Sequence, residues 1–184
     1  MKQEVTIVTG ISGVGKSFLL NEVSRSNPFF IVSAGRTIME QISDLTEKEV
    51  IYDDIRLLDL NENQELFQRG FERVRSQVAD NLVVDAHVVV DTPEGLRHID
   101  TTVFKKLGAK LMVFLEQEPR KIVENRLRDP LRNRPLRDAE TLRHQQSEAK
   151  EHARKIAYEL GIPFTSLLCA SPDDLSRVLE AAGR

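Results

Sequence analysis

Val5-Thr6-Ile7-Val8-Thr9-Gly10-Ile11-Ser12-Gly13-Val14-Gly15-Lys16-Ser17 is an apolar run that breaks into glycines and ends in Lys-Ser. The run before Gly10 predicts a buried strand, and Gly10 to Ser17 fits G-x-x-x-x-G-K-[ST], in which each fixed position has a role when a polyphosphate is bound. Gly10, Gly13 and Gly15 allow close backbone approach, so that successive N–H groups turn inward around phosphate oxygens. Lys16 is placed to reach the β- and γ-phosphates, and Ser17 to offer its hydroxyl to Mg²⁺. Phe18 to Ser24 predicts a helix whose N-terminal dipole faces the same anion. The expected ATP-binding set is therefore Gly10, Ser12, Gly13, Val14, Gly15, Lys16, Ser17 and Phe18. A glycine turn without a ligand is the plainer reading, but the strand before the motif and the helix after it are the context a phosphate loop requires.

Working outward, 184 residues with 40% hydrophobic and 30% charged composition suit one α/β domain with a substantial core. A net charge of −3 leaves no global basic footprint, so nucleic acid is not an expected partner. No apolar run approaches membrane-spanning length and the opening residues lack a signal-peptide pattern, so a cytoplasmic location without membrane association is expected. The single cysteine, Cys169, has no internal disulfide partner. It stands in the apolar run Phe164 to Ala170 and is read as a buried packing thiol.

Phe29 to Ser33 predicts a second strand, entered through Asn27-Pro28. Ser33-Ala34-Gly35-Arg36 predicts a turn back outward, Thr37 to Ile42 a short helix, and Leu45 to Leu60 an irregular or short-helical excursion over the sheet edge. Leu66, Phe67, Gly70, Val74 and Val78 step at helical spacing between Asn61 and about Asp80. Asn81 to His87 predicts a strand with Asp85 near its end. Val88-Val89-Val90 continues apolar, and Asp91 to Gly95 predicts a turn. Ile99 to Leu107 predicts a helix closed by Gly108, Lys110 to Leu115 a strand, and Pro119 to about Arg128 a helix opened by proline. Asp129 to Asp138 predicts a loop, Ala139 to Leu160 a long polar helix, Pro163 to Leu168 a fifth strand and Pro172 to Ala182 a last helix. Strands alternating with helices imply a five-stranded parallel sheet between two helical layers, with ligands at the C-terminal ends of the strands.

That rim gathers the remaining candidates. Asp85 ends a Leu-Val-Val-Asp run, where a carboxylate can hold Mg²⁺ directly or through water, or merely cap a turn. His87 can touch a ligand from the same rim, or be a packed histidine. His144 and His152 lack a third ligand nearby in sequence and are not read as a metal site. Arg126 to Arg137 carries five arginines in twelve residues of an acidic chain. A solvated loop is the bland reading. Planar guanidinium groups that close over a transferring phosphoryl group are the functional one, and they favour a kinase over a bare ATPase. Arg36 and Arg56, in the excursion on the other side, are then candidates to hold the acceptor.

These motifs resemble the archaeal-type adenylate kinases, nucleoside monophosphate kinases of the P-loop fold, from the first strand to about Asp138. Thr9 to Ser17 is similar to that family's T-G-[IV]-P-G-V-G-K-S loop, with Ser12 in place of the proline and Phe18 in place of a small threonine. Asp53-Asp54-Ile55-Arg56 is similar to its D-x-M-R stretch. Val84-Asp85-Ala86-His87 followed by Thr92-Pro93-Glu94-Gly95 is similar to its V-D-T-H…T-P-x-G-Y run, with Ala86 and Leu96 as departures, and Arg97-His98-Ile99 stands where the family has L-P-G-L-P. Arg128-Asp129-Pro130-Leu131-Arg132-Asn133-Arg134 is similar to its R-D-x-x-R-N-R lid. Lys150 stands near a family arginine whose bidentate grip a lysine lacks.

The resemblance implies a single P-loop kinase domain over residues 1–184, nucleoside monophosphate kinase-like, with an acceptor-binding excursion at about 34–80 and a lid at about 128–138. It implies transfer from ATP·Mg to a nucleoside monophosphate, most simply AMP. Lys16, Arg132 and Arg134 are the expected catalytic residues, Ser17 and Asp85 the metal-associated ones, and Arg36, Arg56 and His87 the acceptor side. The alternatives are an ATP-dependent kinase of another small acceptor and a nucleotide-operated P-loop ATPase or binding protein. Monomer and homo-oligomer are equally open from sequence.

Overall fold

Short apolar runs bounded by glycine, proline or a polar residue, and apolar on both faces, pack as the strands of a covered parallel sheet. The computed structural model describes residues 3–25, 29–46, 60–129 and 134–182. In chain order the elements are β1 (Val5–Thr9), α1 (Lys16–Ser24), β2 (Phe29–Ser33), α2 (Ala34–Thr46), α3 (Leu60–Gln77), β3 (Asn81–Asp85), β4 (Val89–Thr92) and β5 (Gly95–His98). They continue with α4 (Thr101–Leu107), β6 (Leu111–Glu116), α5 (Pro119–Leu127), α6 (Ala139–Leu160), β7 (Phe164–Leu168) and α7 (Pro172–Ala182). The parallel sheet runs β2-β3-β1-β6-β7, and β4 and β5 form a separate antiparallel pair.

β1, which feeds the glycine loop, is the central strand, with all five residues buried. Its register decides what shares the rim. Val8 lies opposite both Asp85 and Val113, and Ser33 opposite Asp85, so β1, β2, β3 and β6 emerge side by side. α1 packs on α7, and α6 packs on α4, α5 and β6. α6 looks polar in sequence, yet Ala149, Ala153, Ile156 and Ala157 are buried at helical spacing. Small side chains on that stripe let the helix close onto the sheet. Its ends are set by chemistry as expected. Asp138 accepts from the Thr141 N–H at 2.7 Å, and Gly161 takes the left-handed conformation at the other end.

Three expectations need correction. Residues 33–36 do not form a turn: β2 runs directly into α2, and Arg36 sits in its first helical turn. α2 is held there by α3, whose Gly70 lies so close to it that a Cβ would stand 2.3 Å from Thr37 Cγ2. The turn expected at Asp91 to Gly95 is confined to Pro93 and Glu94, the tip of the β4–β5 hairpin, whose strands take in Asp91, Thr92 and Gly95, with the Thr92 hydroxyl donating to the Gly95 carbonyl at 2.9 Å. Cys169 is exposed rather than buried, because β7 is an edge strand and Cys169 lies past its end.

Candidate active site

The chain leaves β1 through Gly10, whose φ of +152° and contact with β6 demand glycine, since a Cβ there would lie 2.6 Å from the Leu115 carbonyl oxygen. Gly13 (φ +95°) is constrained in the same way by α5, where a Cβ would meet Arg126 Cγ at 2.9 Å. The loop then enters α1 with Lys16 at its start. Lys16 is 6% exposed, and a buried ammonium needs partners. Its Nζ donates to the Gly10 carbonyl at 3.2 Å and lies 3.8 Å from Asp85 Oδ1. The Ser17 hydroxyl donates to Asp85 Oδ2 at 3.1 Å. Loop, lysine, serine and carboxylate are thus one cluster, set by the β1–β3 register.

His87 Nδ1 lies 2.9 Å from the Gly10 carbonyl and 3.4 Å from Lys16 Nζ. A carbonyl only accepts, so Nδ1 carries the proton, and the 3.4 Å approach of Lys16 is a contact between two donors rather than a hydrogen bond. In the neutral ring Nε2 is then the acceptor.

These groups open on a cavity of about 820 Å³. On the β6–β7 side of β1 it is lined by Gln117, Lys121, Ala170 and Pro172. On the β2–β3 side it is lined by Ile38, Asn63, Gln64 and Phe67 from α2 and α3, and its lining also includes Val103 and Phe104 from α4 and Val89, Val90, Leu96 and Arg97 from the hairpin. The loop and Lys16 stand between the two sides.

Of the residues expected from sequence, Ser12, Gly13, Val14, Gly15, Lys16, Ser17, Phe18, Asp85, His87 and Arg134 all line the cavity, Phe18 at 66% exposure. Gly10 holds Lys16 through its carbonyl. The Arg134 side chain is 7% exposed and donates to Asp129 Oδ2 at 2.6 Å. Arg36 is exposed on α2 and is not part of the cavity lining. Arg56 and Arg132 lie outside the described residues. Among the described residues no cluster of three His, Cys, Asp or Glu side chains forms a metal site, and His144 pairs only loosely with Glu140.

Sequence reading missed Asp91 and Gln145, and singled out Arg126 and Arg137 only as members of the arginine-rich segment. The Asp91 carboxylate accepts from Arg126 Nη1, from Arg137 Nε and Nη2, and from Gln145 Nε2, all within 3.3 Å. Arg126 also donates from Nε to the Ser12 carbonyl at 2.9 Å, and Asn125 donates to the Gly13 carbonyl at 2.8 Å. The arginine cluster was visible in sequence; its acidic partner was hidden in what read as a turn.

Residues 9–143 match the family model described as AAA domain. The chain is 32% identical over 148 residues to an adenylate kinase of Pyrococcus horikoshii, covering 77% of this chain and 74% of the relative. It is 28% identical over 142 residues to an adenylate kinase of Thermoplasma volcanium, covering 77% of each. In fold it is similar to a shikimate kinase from Bacteroides thetaiotaomicron, with a TM-score of 0.59 at 18% identity, covering 96% of this chain and 98% of that one. Among the described residues no helix is long and apolar enough to cross a membrane.

Proposed function

The chain belongs to the adenylate kinase-like P-loop kinases, and from that premise we propose that it transfers the γ-phosphoryl group of ATP to a nucleoside monophosphate, most simply AMP. The observation that carries this reading is one large cavity that takes in the phosphate loop after β1, residues that follow β6 and β7, and residues of α2 and α3 beside β2 and β3. ATP would lie with its phosphates in the loop and its base toward Gln117, Lys121, Ala170 and Pro172. The acceptor would lie across β1, its flat body against Phe67, Leu96 and Phe104.

Transfer is in line and needs no covalent intermediate, so positioning and charge neutralisation supply the catalysis. Lys16 and the loop amides hold the donor. Arg134, and Arg132 from sequence, act on the transferring group, and Arg56 grips the acceptor phosphate. Ser17 Oγ and the Asp85 carboxylate, 3.1 Å apart, are hard oxygen donors of the kind that suits Mg²⁺. Bound beside the phosphates, that ion supplies further neutralisation. We place the protein in the cytoplasm, where the exposed thiol of Cys169 stays reduced.

A second reading, a kinase of a neutral hydroxyl acceptor, is favoured by one observation: Arg36 lies outside the cavity lining. ADP formation from Mg·ATP, measured against a panel of nucleoside monophosphates and small hydroxyl compounds, separates the two. AMP should be the best acceptor. A preference for a neutral hydroxyl compound replaces AMP, and no acceptor-dependent ADP across the panel moves the assignment to a nucleotide-operated binding protein.

A further inference from the structure

We propose that Asp91 is a positioning residue for the phosphate loop, acting through Arg126 on the loop backbone. The Asp91 side chain is 9% exposed and that of Arg126 8%. Three N–H donors, two from Arg137 and one from Gln145, converge on Asp91 Oδ1, and Arg126 Nη1 donates to Oδ2, so the carboxylate is bonded mainly to protein groups although it lines the cavity. What it does instead is orient Arg126. With Nη1 fixed on Asp91, Arg126 presents Nε to the Ser12 carbonyl at 2.9 Å and lays its stem against Gly13. The peptide unit is planar and trans, so C=O and N–H point in opposite directions. A Ser12 carbonyl drawn to Arg126 therefore turns the Gly13 N–H the other way, toward the cavity that Gly13 lines. A lysine at 126 could keep the charge on Asp91 but not serve both groups in this fork geometry. Arg137 acts elsewhere, tying the segment before α6 to the hairpin through Asp91 and the Thr92 carbonyl.

The proposal rests on the reading that the loop holds the donor phosphates, and concerns donor binding alone. Its test is calorimetric titration of Mg·ATP, with the melting temperature taken without nucleotide, on the full chain and on Asp91→Asn and Arg137→Gln. Asp91→Asn should weaken Mg·ATP by about tenfold or more, and Arg137→Gln, which leaves the Arg126 pair in place, by less than about threefold, although both melt earlier. Equal affinity losses in the two variants, or an unchanged affinity in folded Asp91→Asn, would make the network a brace only and overturn the proposal. If Asp91→Asn does not fold, Arg126→Lys decides it, since affinity should again drop about tenfold, and wild-type affinity overturns. A wild-type protein that binds no Mg·ATP would sink the donor reading itself, and this proposal with it.

Discussion

Lys16 shows how a single side chain can be fixed by burial and still be kept for chemistry. Its ammonium is held by a carbonyl and lies near a carboxylate on an adjacent strand. Replacing it with alanine removes charge where phosphoryl charge develops, so Lys16→Ala should stay folded by circular dichroism and lose several orders of magnitude in kcat. A folded variant with near-normal turnover would refute that role. Asp85→Asn keeps the shape and an acceptor for Ser17, so its deficit should appear in the Mg²⁺ titration and in kcat more than in nucleotide affinity. Arg134→Lys retains the charge but loses the planar fork, and kcat should fall by about tenfold or more, as a steady-state assay will show. The phosphate loop was legible because its parts are neighbours in sequence, with the glycines forced by local contacts. The Asp91 cluster was not, because its partners stand 35, 46 and 54 residues away and only the fold brings them together.

Elements with a strong period or a clear cap were read correctly, α6 to both of its ends, because Asp138 and Gly161 act locally. The β4–β5 hairpin escaped because each strand is four residues long and β5 is half-buried or exposed throughout, which leaves no alternation to see. Cys169 was misread because an apolar neighbourhood in sequence does not tell an edge strand from a central one. The hairpin is docked on α6 through two histidines. His98 stacks on His152 with ring centroids 4.4 Å apart and pairs with Glu148, and His152 Nε2 donates to the Ile99 carbonyl at 2.8 Å. Burial, with help from His98 and Lys155 and against the pull of Ile99 and Glu159, holds the His152 pKa below its ordinary value. The unfolded chain then binds this proton more readily than the folded one, so stability falls as pH drops from above the ordinary histidine value toward the folded pKa. The melting temperature should drop by about 1–3 °C between pH 7.5 and 5.5, damped by partial exposure, and the slope should flatten in His152→Asn. An unchanged slope in that variant would remove His152 from the account. Gly70 is a different element-scale device. Gly70→Ala should cost about 1–3 kcal/mol by chemical denaturation, because Thr37 must move.

At the scale of the whole molecule, one central strand separates the two ends of the cavity. β1 delivers the phosphate loop, β2 and β3 lead to the walls made by α2 and α3, and β6 and β7 lead to the opposite end. This division follows from the strand order, which the alternating pattern implied only as a parallel sheet. If the two ends take different substrates, changes at each should be felt by one substrate only. Leu96→Ala removes apolar contact on the hairpin wall, worth about 1–2 kcal/mol if the acceptor covers it, so the acceptor KM should rise about 5- to 30-fold while the KM for ATP holds. Ala170→Leu adds volume at the opposite end and should raise the KM for ATP while sparing the acceptor. Both are read from initial rates with each substrate varied in turn. If each variant shifts both constants together, the cavity is a single compartment, and the assignment of its two ends to donor and acceptor falls.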